Sequence, residues 1–443
     1  MDLQKHLQKL HDLGELQTVS AEVGARLELA ALCRNEFRKA EGGKSLLFKR
    51  IYSRSFPVIA NMFGSEKRTT LLLHSTDFVE FSLKLQTLLR TRNGNVEERL
   101  RFREKTNLVE DSKYQISEGL NLLDLPAIQS WPKEGGAYLN LALSITEHPD
   151  TGQKNLGLYR AQVVDSDHLA INFSPASGAA KHFAAAAKAK KTLPISLIMG
   201  SDPALIWVAA APLPEECEEF AFHSALFDQT LKFTPGLTQP IAVPANAEIV
   251  IEGHLLPEVT VKEGPFGNHT GQYVCREDCP LMQVTAIRHR PGAICPTTVV
   301  GPPPSENIYL GKANEILLRE MLKIDFPQIR NLKMPVETIF HGVALLSVKQ
   351  QSAKENKELL HTLWERSPLR RAPLLVLLDE DINLSSLSHC WWRTINKLKN
   401  QRIYQECGRI GIDATGVNPS SLVEEDPNTR ELLQRRMDEY FRC

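Results

Sequence analysis

EIVIEGHLLPEVTVKEGPFGNHTGQYVCREDCPLMQVTAIRH, residues 248–289, sets two apolar runs, EIVIEGHLL (248–256) and MQVTAIRH (282–289), on either side of the glycine-dense KEGPFGNHTGQY (262–273). Val and Ile suit a pleated, half-buried surface, so the runs read as strands. Three glycines and a proline between them read either as a long hairpin turn that needs positive φ or as a backbone that a ligand approaches closely. The same texture extends outward over about 115–305, in YLNLALSITE (138–147), LYRAQVVD (158–165), HLAINF (168–173), PISLIMG (194–200) and ICPTTVVG (294–301). A β-rich domain, sandwich or barrel, is expected there. Two stretches of good helix formers interrupt it, AAKHFAAAAKAKKT (179–192) and EECEEFAFHSALF (215–227), and are expected as helices packed on the sheet.

Upstream, Leu13, Leu16, Val19, Val23, Leu27, Leu29 and Leu32 keep helical spacing as far as Gly42-Gly43, which predicts a helical lead-in over 1–45. SLLFKRI (45–51), FPVIANMF (56–63) and TTLLLH (69–74) read as short strands, and 76–110 as polar helix, so residues 1–112 form an α+β domain and 113–305 the β-rich one. Downstream, helical ENIYLGKANEILLREMLKI (306–324) and KENKELLHTLWERS (354–367) alternate with strands HGVALLSVK (341–349) and APLLVLLDEDIN (372–383). That alternation predicts an α/β domain over 306–443. Its closing helix, EEDPNTRELLQRRMDEYFRC (424–443), is a candidate oligomer contact.

A chain of 443 residues exceeds what one core usually serves. With Lys+Arg 52 against Asp+Glu 53, it carries no global positive field to hold nucleic acid. The start MDLQKHLQKLHDLGELQ lacks the features of a secretory signal, and the apolar stretch 193–214 is broken by Ser196, Ser201, Asp202 and Pro203, so no membrane-spanning helix is expected. Eight scattered cysteines read as reduced thiols and predict a cytoplasmic protein.

Several groups could carry chemistry. Arg160, within NLGLYRAQ (155–162), needs an anionic partner if buried and none if it points to solvent. Glu215, Glu216, Glu218 and Glu219 crowd an expected helix start, where acids favour the helix dipole whether or not they bind anything. Asp379-Glu380-Asp381 closes a buried strand and reads as a solvated strand end. Cys275 and Cys279 lack zinc-knuckle spacing. No G-x-S-x-G, P-loop or strand-linked G-x-G-x-x-G occurs, so serine-hydrolase, NTPase and Rossmann readings lack their signatures.

EGPFGNHTGQY resembles the E-G-P-[FY]-G-[DE]-x-T-G-Y signature of the UbiD family of decarboxylases, which use prenylated FMN. NLGLYRAQ, LPISLIMGSDPA, EIVIEGHL, VGPPPSEN, LLDEDIN and GIDAT are similar to further motifs of that family in the same order. The resemblance implies an α+β multidomain fold with a central split β-barrel for the cofactor and a C-terminal α/β oligomerisation domain. It implies a divalent metal, usually Mn2+, held with a nearby K+ by Asn155 and Glu219. It places Asn155, Leu158, Tyr159, Arg160, Ser177 and Gly178 against the cofactor and Arg160, Glu263 and position 268 around the reacting carboxylate. Position 268 is Asn where the family has its proton-donating acid, and SPASGAA (174–180) stands where many members have S-H-R-G-G. His269 or a held water is the substitute donor open to this chain. The implied activity is decarboxylation of a quinone precursor such as a 4-hydroxy-3-polyprenylbenzoate or a naphthoate. A small heteroaromatic or phenolic acid, or a non-catalytic structural role, is the alternative. The implied partners are a UbiX-type prenylated-FMN synthase and further copies of the chain, with contact to a membrane-borne precursor through an apolar patch.

Overall fold

The computed structural model describes residues 1–110, 113–416, 423 and 426–441. They fall into two compact units, Met1–Pro327 with Met334–Gly342, and Gln328–Lys333 with Val343–Cys443. The architecture is α+β and multidomain.

The centre of the first unit is an eight-stranded antiparallel sheet in the order Tyr138–Leu139, Ala161–Val163, His168–Ile171, Tyr273–His289, Ile249–Gly267, Leu193–Met199, Leu143–Glu147, Lys154–Leu158. NLGLYRAQ spans two strands. Lys154–Leu158 is one edge of the sheet, Ala161–Val163 lies next to the other edge, and only Tyr159 and Arg160 join them. In a flat sheet those strands would lie about 29 Å apart, whereas three Cα steps reach about 10 Å. The sheet therefore curls on itself into a split β-barrel, and Tyr159–Arg160 crosses the seam.

Alternation along the strands fills two cores. Leu197, Met199, Ile249 and Ile251 bury one way, with Phe48, Ala179 and Ala186. Leu143, Ile145, Leu156, Ile198 and Val250 bury the other way, with Phe220 and Phe233. Both faces are thus covered, which is why these strands read as near-continuous apolar runs.

The N-terminal sheet departs from expectation. Leu16–Val23, read as helix, is a strand paired in parallel with Ser45–Ile51, so Leu16 and Val19 serve a sheet and the helices are confined to Leu3–Asp12 and Glu28–Phe37. TTLLLH, read as strand, lies largely in the helix Glu66–Leu72, whose N-terminus Ser65 caps by accepting a hydrogen bond from the Arg68 amide. Cys295–Pro296 completes this sheet beside Val58–Ala60. The helices Gly178–Lys188 and Glu219–Phe227 pack as expected, although the second starts at Glu219 and not at 215.

In the second unit Val343–Val348, Leu374–Asp379 and Arg409–Asp413 form a parallel core, with Ile329–Lys333 and Ile403–Glu406 as antiparallel edges. The final helix runs Pro427–Tyr440. Residues 424, 425, 442 and 443 of the expected tail, Cys443 among them, lie outside the described residues. The seven described cysteines are free thiols. Asp379 accepts from the Gly416 amide at 2.8 Å and Glu380 pairs with Arg330, so this acidic cluster serves the strand end. Among the described residues no helix is long and apolar enough to cross a membrane.

Candidate active site

Glu263 sits near the end of the strand Ile249–Gly267, where the ladder with Tyr273–His289 shifts register on both sides of it, between Val261 and Glu263 and between Glu263 and Phe266. Such irregularities re-aim a side chain. Here they turn the carboxylate inward, fully buried. Arg160, at the seam, donates to it with both prongs of the guanidinium, Nε to Oε1 at 2.8 Å and Nη2 to Oε2 at 2.6 Å. Asn172 Nδ2 donates to the same Oε2 at 2.7 Å. The Arg160 guanidinium lies 4.4 Å over the Phe266 ring, and Phe266 meets Tyr138 edge to face. A planar fork on a carboxylate fixes orientation as well as charge. Burial, then the adjacent Glu263 charge, pushes the Tyr138 hydroxyl well above its usual range. Gln162 Oε1 accepts from Tyr138 Oη at 3.2 Å and from the Gly264 amide at 2.8 Å, tying the wall to the strand.

A second cluster lies on the strand Lys154–Leu158. Asn155 Nδ2 donates to Glu219 Oε1 at 3.1 Å, and the Leu156 amide donates to Glu219 Oε2 at 2.9 Å. Burial raises the Glu219 carboxyl to about 7. Asn155 Oδ1 is buried without a hydrogen-bond partner. An orphaned amide oxygen beside a buried carboxylate is an oxygen donor set for a hard divalent cation. Next to it begins the helix Gly178–Lys188, with Ser177 as its cap. A Cβ on Gly178 would stand 2.8 Å from Asn155 Cγ and Nδ2, so any other residue would displace Asn155 or the helix start. The helix N-terminus offers the Gly178 amide and a positive dipole end, which suit a phosphate. Tyr159 stacks edge-on against Phe173, its hydroxyl beside Ser177, and burial pushes it up to about 12. The donors of this cluster fit a metal and a cofactor phosphate.

The remaining expected residues fall elsewhere. Leu158 packs with Leu156 into the opposite core, so only its backbone is free to line the site. Asn268 is half-buried at the hairpin tip, where its Oδ1 accepts from the Thr270 amide at 2.9 Å and from Thr270 Oγ1 at 2.6 Å. Its Oδ1 is spent on the turn. The tip itself is short, 268–272, because Gly264–Gly267 remains in the strand. His182, two residues beyond SPASGAA and not among the expected residues, is buried against Thr146, which lies opposite Asn155 in the ladder, and burial lowers it to about 4. Asn172 and Tyr138 carry no motif-level signal and were not expected, whereas Gln162 closes NLGLYRAQ but was not singled out.

Sequence models of the N-terminal, Rift-related and C-terminal domains of 3-octaprenyl-4-hydroxybenzoate carboxy-lyase match residues 7–84, 103–303 and 308–412. The chain is 32% identical over 443 residues to an uncharacterized protein of Archaeoglobus fulgidus, covering 94% of this chain and 91% of the relative. It is 29% identical over 432 residues to a 4-hydroxybenzoate decarboxylase subunit from Chlamydia pneumoniae, covering 94% and 72%. An evolved dimeric form of the UbiD-class enzyme HmfF from Pelotomaculum thermopropionicum, solved with prFMN, superposes with a TM-score of 0.80 at 25% identity, over 97% of this chain and 98% of that one. The vanillic acid decarboxylase of Sedimentibacter hydroxybenzoicus in its closed form shares the fold, with a TM-score of 0.86 at 23% identity over 100% and 99%. Matched in all three of its domains and in its fold, the chain belongs to the UbiD family of prenylated-FMN-dependent decarboxylases and is a carboxy-lyase.

Proposed function

We propose that the chain removes CO2, without net oxidation, from an aromatic acid of the 4-hydroxybenzoate type, a polyprenylated benzoate or a naphthoate bound for a quinone. We assign it prenylated FMN, a divalent metal such as Mn2+ and a nearby K+. One observation carries the reading: a fully buried Glu263 gripped by both prongs of Arg160, in the same barrel as the Asn155–Glu219 donor pair. The choice of acid rests on the relatives, since the names 4-hydroxybenzoate and 3-octaprenyl-4-hydroxybenzoate share one skeleton.

In this reading Asn155 Oδ1 and Glu219 take the metal, whose charge offsets the cost of burying the carboxylate. Ser177, the Gly178 amide and Tyr159 would receive the cofactor phosphate. Arg160, held by Glu263, presents its remaining N–H groups to the substrate carboxylate, and the Phe266 and Phe173 rings keep water away, so that the leaving CO2 exits an apolar wall. Prenylated FMN, when bound, supplies the electron sink that loss of CO2 from an aromatic carbon requires and that side chains lack. A UbiX-type synthase supplies the cofactor. A homo-oligomer in the cytoplasm is the proposed form, with Leu432, Leu433, Met437 and Tyr440 exposed along the last helix.

Asn268, an amide with its Oδ1 held by Thr270, favours a second reading, a family member that binds without turnover. Protein co-expressed with a prenylated-FMN synthase separates the two. Bound prenylated FMN by absorbance and mass, with CO2 release from a panel of aromatic acids that collapses in Glu263→Gln, supports the enzyme. A colourless protein that releases nothing leaves the binding role.

A further inference from the structure

Decarboxylation leaves an electron pair on a ring carbon, and a proton must reach it. The Arg160–Glu263–Asn172 cluster is committed as a hydrogen-bonded ion pair, and Asn268 has no acidic proton. The residue after it does. His269 Nε2 lies 2.9 Å from His341 Nε2, the rings edge to face with centroids 5.0 Å apart. At that distance the two nitrogens share a proton. His269 is half-buried and near enough to Arg160 to feel its charge, whereas His341 is exposed.

His341 belongs to Met334–Gly342, an excursion that lies in the first compact unit although its neighbours in sequence form strands of the second. Two consecutive residues before His341, Ile339 and Phe340, hold left-handed backbone, with φ of 62° and 45°. A β-branched residue there is costly and persists only where its surroundings fix it. Those surroundings are visible. Phe340 packs so closely on the helix Asn307–Asp325 that a Cβ on Gly311 would stand 2.7 Å from its ring, and the Met334 amide donates to Glu315 Oε2 at 2.6 Å. Strained backbone thus delivers one imidazole to another, with His269 within reach of the Arg160 charge.

Resting on the decarboxylase reading, we infer that His269 is the proton donor to the substrate carbon and that His341 reloads it from solvent. The C–CO2 bond breaks, CO2 departs, and the electron pair left behind takes the proton of the His269 imidazolium. Donation from Nδ1 leaves the neutral ring protonated at Nε2; once the two tautomers exchange through water, Nε2 accepts the Nε2 proton of a His341 imidazolium, which draws its own from water. No other reactant is needed. Among the described residues the charges of His341 and Arg160 act on His269, and both, after burial, disfavour its cation. The donor is therefore acidic when loaded, and kcat rises as pH falls below about 6.5.

The test uses the prenylated-FMN-loaded full chain with an acid it turns over. His269→Gln is expected to lower kcat at least 100-fold with KM within a few-fold. His341→Gln removes the repulsion on His269, so the pH profile of kcat moves to higher pH and kcat falls less. Histidine NMR on the cofactor-free protein gives an independent readout: the two rings titrate as a coupled pair, and His269 titrates higher in His341→Gln. An active wild type with an equally active His269→Gln, or two rings that titrate independently, overturns the relay while leaving the decarboxylase reading intact. A wild type that releases no CO2 from any acid overturns that reading itself.

Discussion

Glu263 and Arg160 depend on each other more than on the rest of the site. Two charges leave water together only if each satisfies the other, and the fork geometry does that, with Asn172 on the remaining lone pair. Glu263→Gln keeps the volume but leaves Arg160 facing an amide that cannot accept from both prongs at full charge. CO2 release is expected to fall at least 100-fold, and the melting temperature to drop by several degrees, read by a CO2-coupled assay and by thermal unfolding of the same preparation. Unchanged turnover would sink the role assigned to the pair. At this scale the sequence was partly legible. An arginine inside an apolar strand needs an acid, but the acid lies far along the chain at a ladder irregularity, and residue spacing says nothing about which glutamate it is. Asn268 shows the opposite limit: the motif put it beside the carboxylate, and local chemistry turned it back onto Thr270.

At the level of elements, the helix Gly178–Lys188 positions the Asn155–Glu219 end of the site through what it lacks. Gly178→Ala would ordinarily favour a helix by about 1 kcal/mol. Its Cβ would meet Asn155 at 2.8 Å, so Asn155 or the helix start must move. Expected is a protein with an unchanged or slightly higher melting temperature that retains less metal and flavin after purification, measured by elemental analysis and absorbance. Full retention would separate the helix start from cofactor binding. The helix Glu66–Leu72 makes the neighbouring case. TTLLLH reads as strand because its apolar run has no visible period, and the deciding signal was the Ser65 cap just upstream. Ser65→Ala should cost about 1 kcal/mol in urea unfolding, and no change would mean that packing alone holds the helix. Leu16–Val23 failed for another reason. Apolar spacings of three and four suit a helix, and only the parallel partner Ser45–Ile51, distant in sequence, makes it a strand.

Across the whole molecule, the chain returns to its beginning. Cys295–Pro296 pairs with Val58–Ala60, and Glu306 follows shortly after, fully enclosed, with Phe63 N donating to its Oε2 at 3.4 Å while Oε1 lacks a partner. A two-residue strand leaves no periodicity to read, so this closure was not legible, whereas the long alternating strands of the barrel were. The closure has a pH signature. Burial lifts the Glu306 carboxyl to about 7 from an ordinary 4.5, so between those values the folded chain holds a proton that the unfolded chain has released. Stability contributed by that proton is present below pH 4.5 and lost as pH rises to 7, by about 3 kcal/mol at most. Glu306→Gln cannot ionise. Its stability relative to wild type, from urea unfolding at pH 5, 6, 7 and 8, should therefore climb with pH and level off above 7. His6 supplies the mirrored control. Burial lowers it to about 4, so wild type loses stability as pH falls from 6.5 towards 4, and His6→Leu should gain on wild type in that direction. Parallel stability curves for Glu306→Gln and wild type across the range would mean that Glu306 is ionised in the folded chain, paired with Arg68, which is itself fully buried.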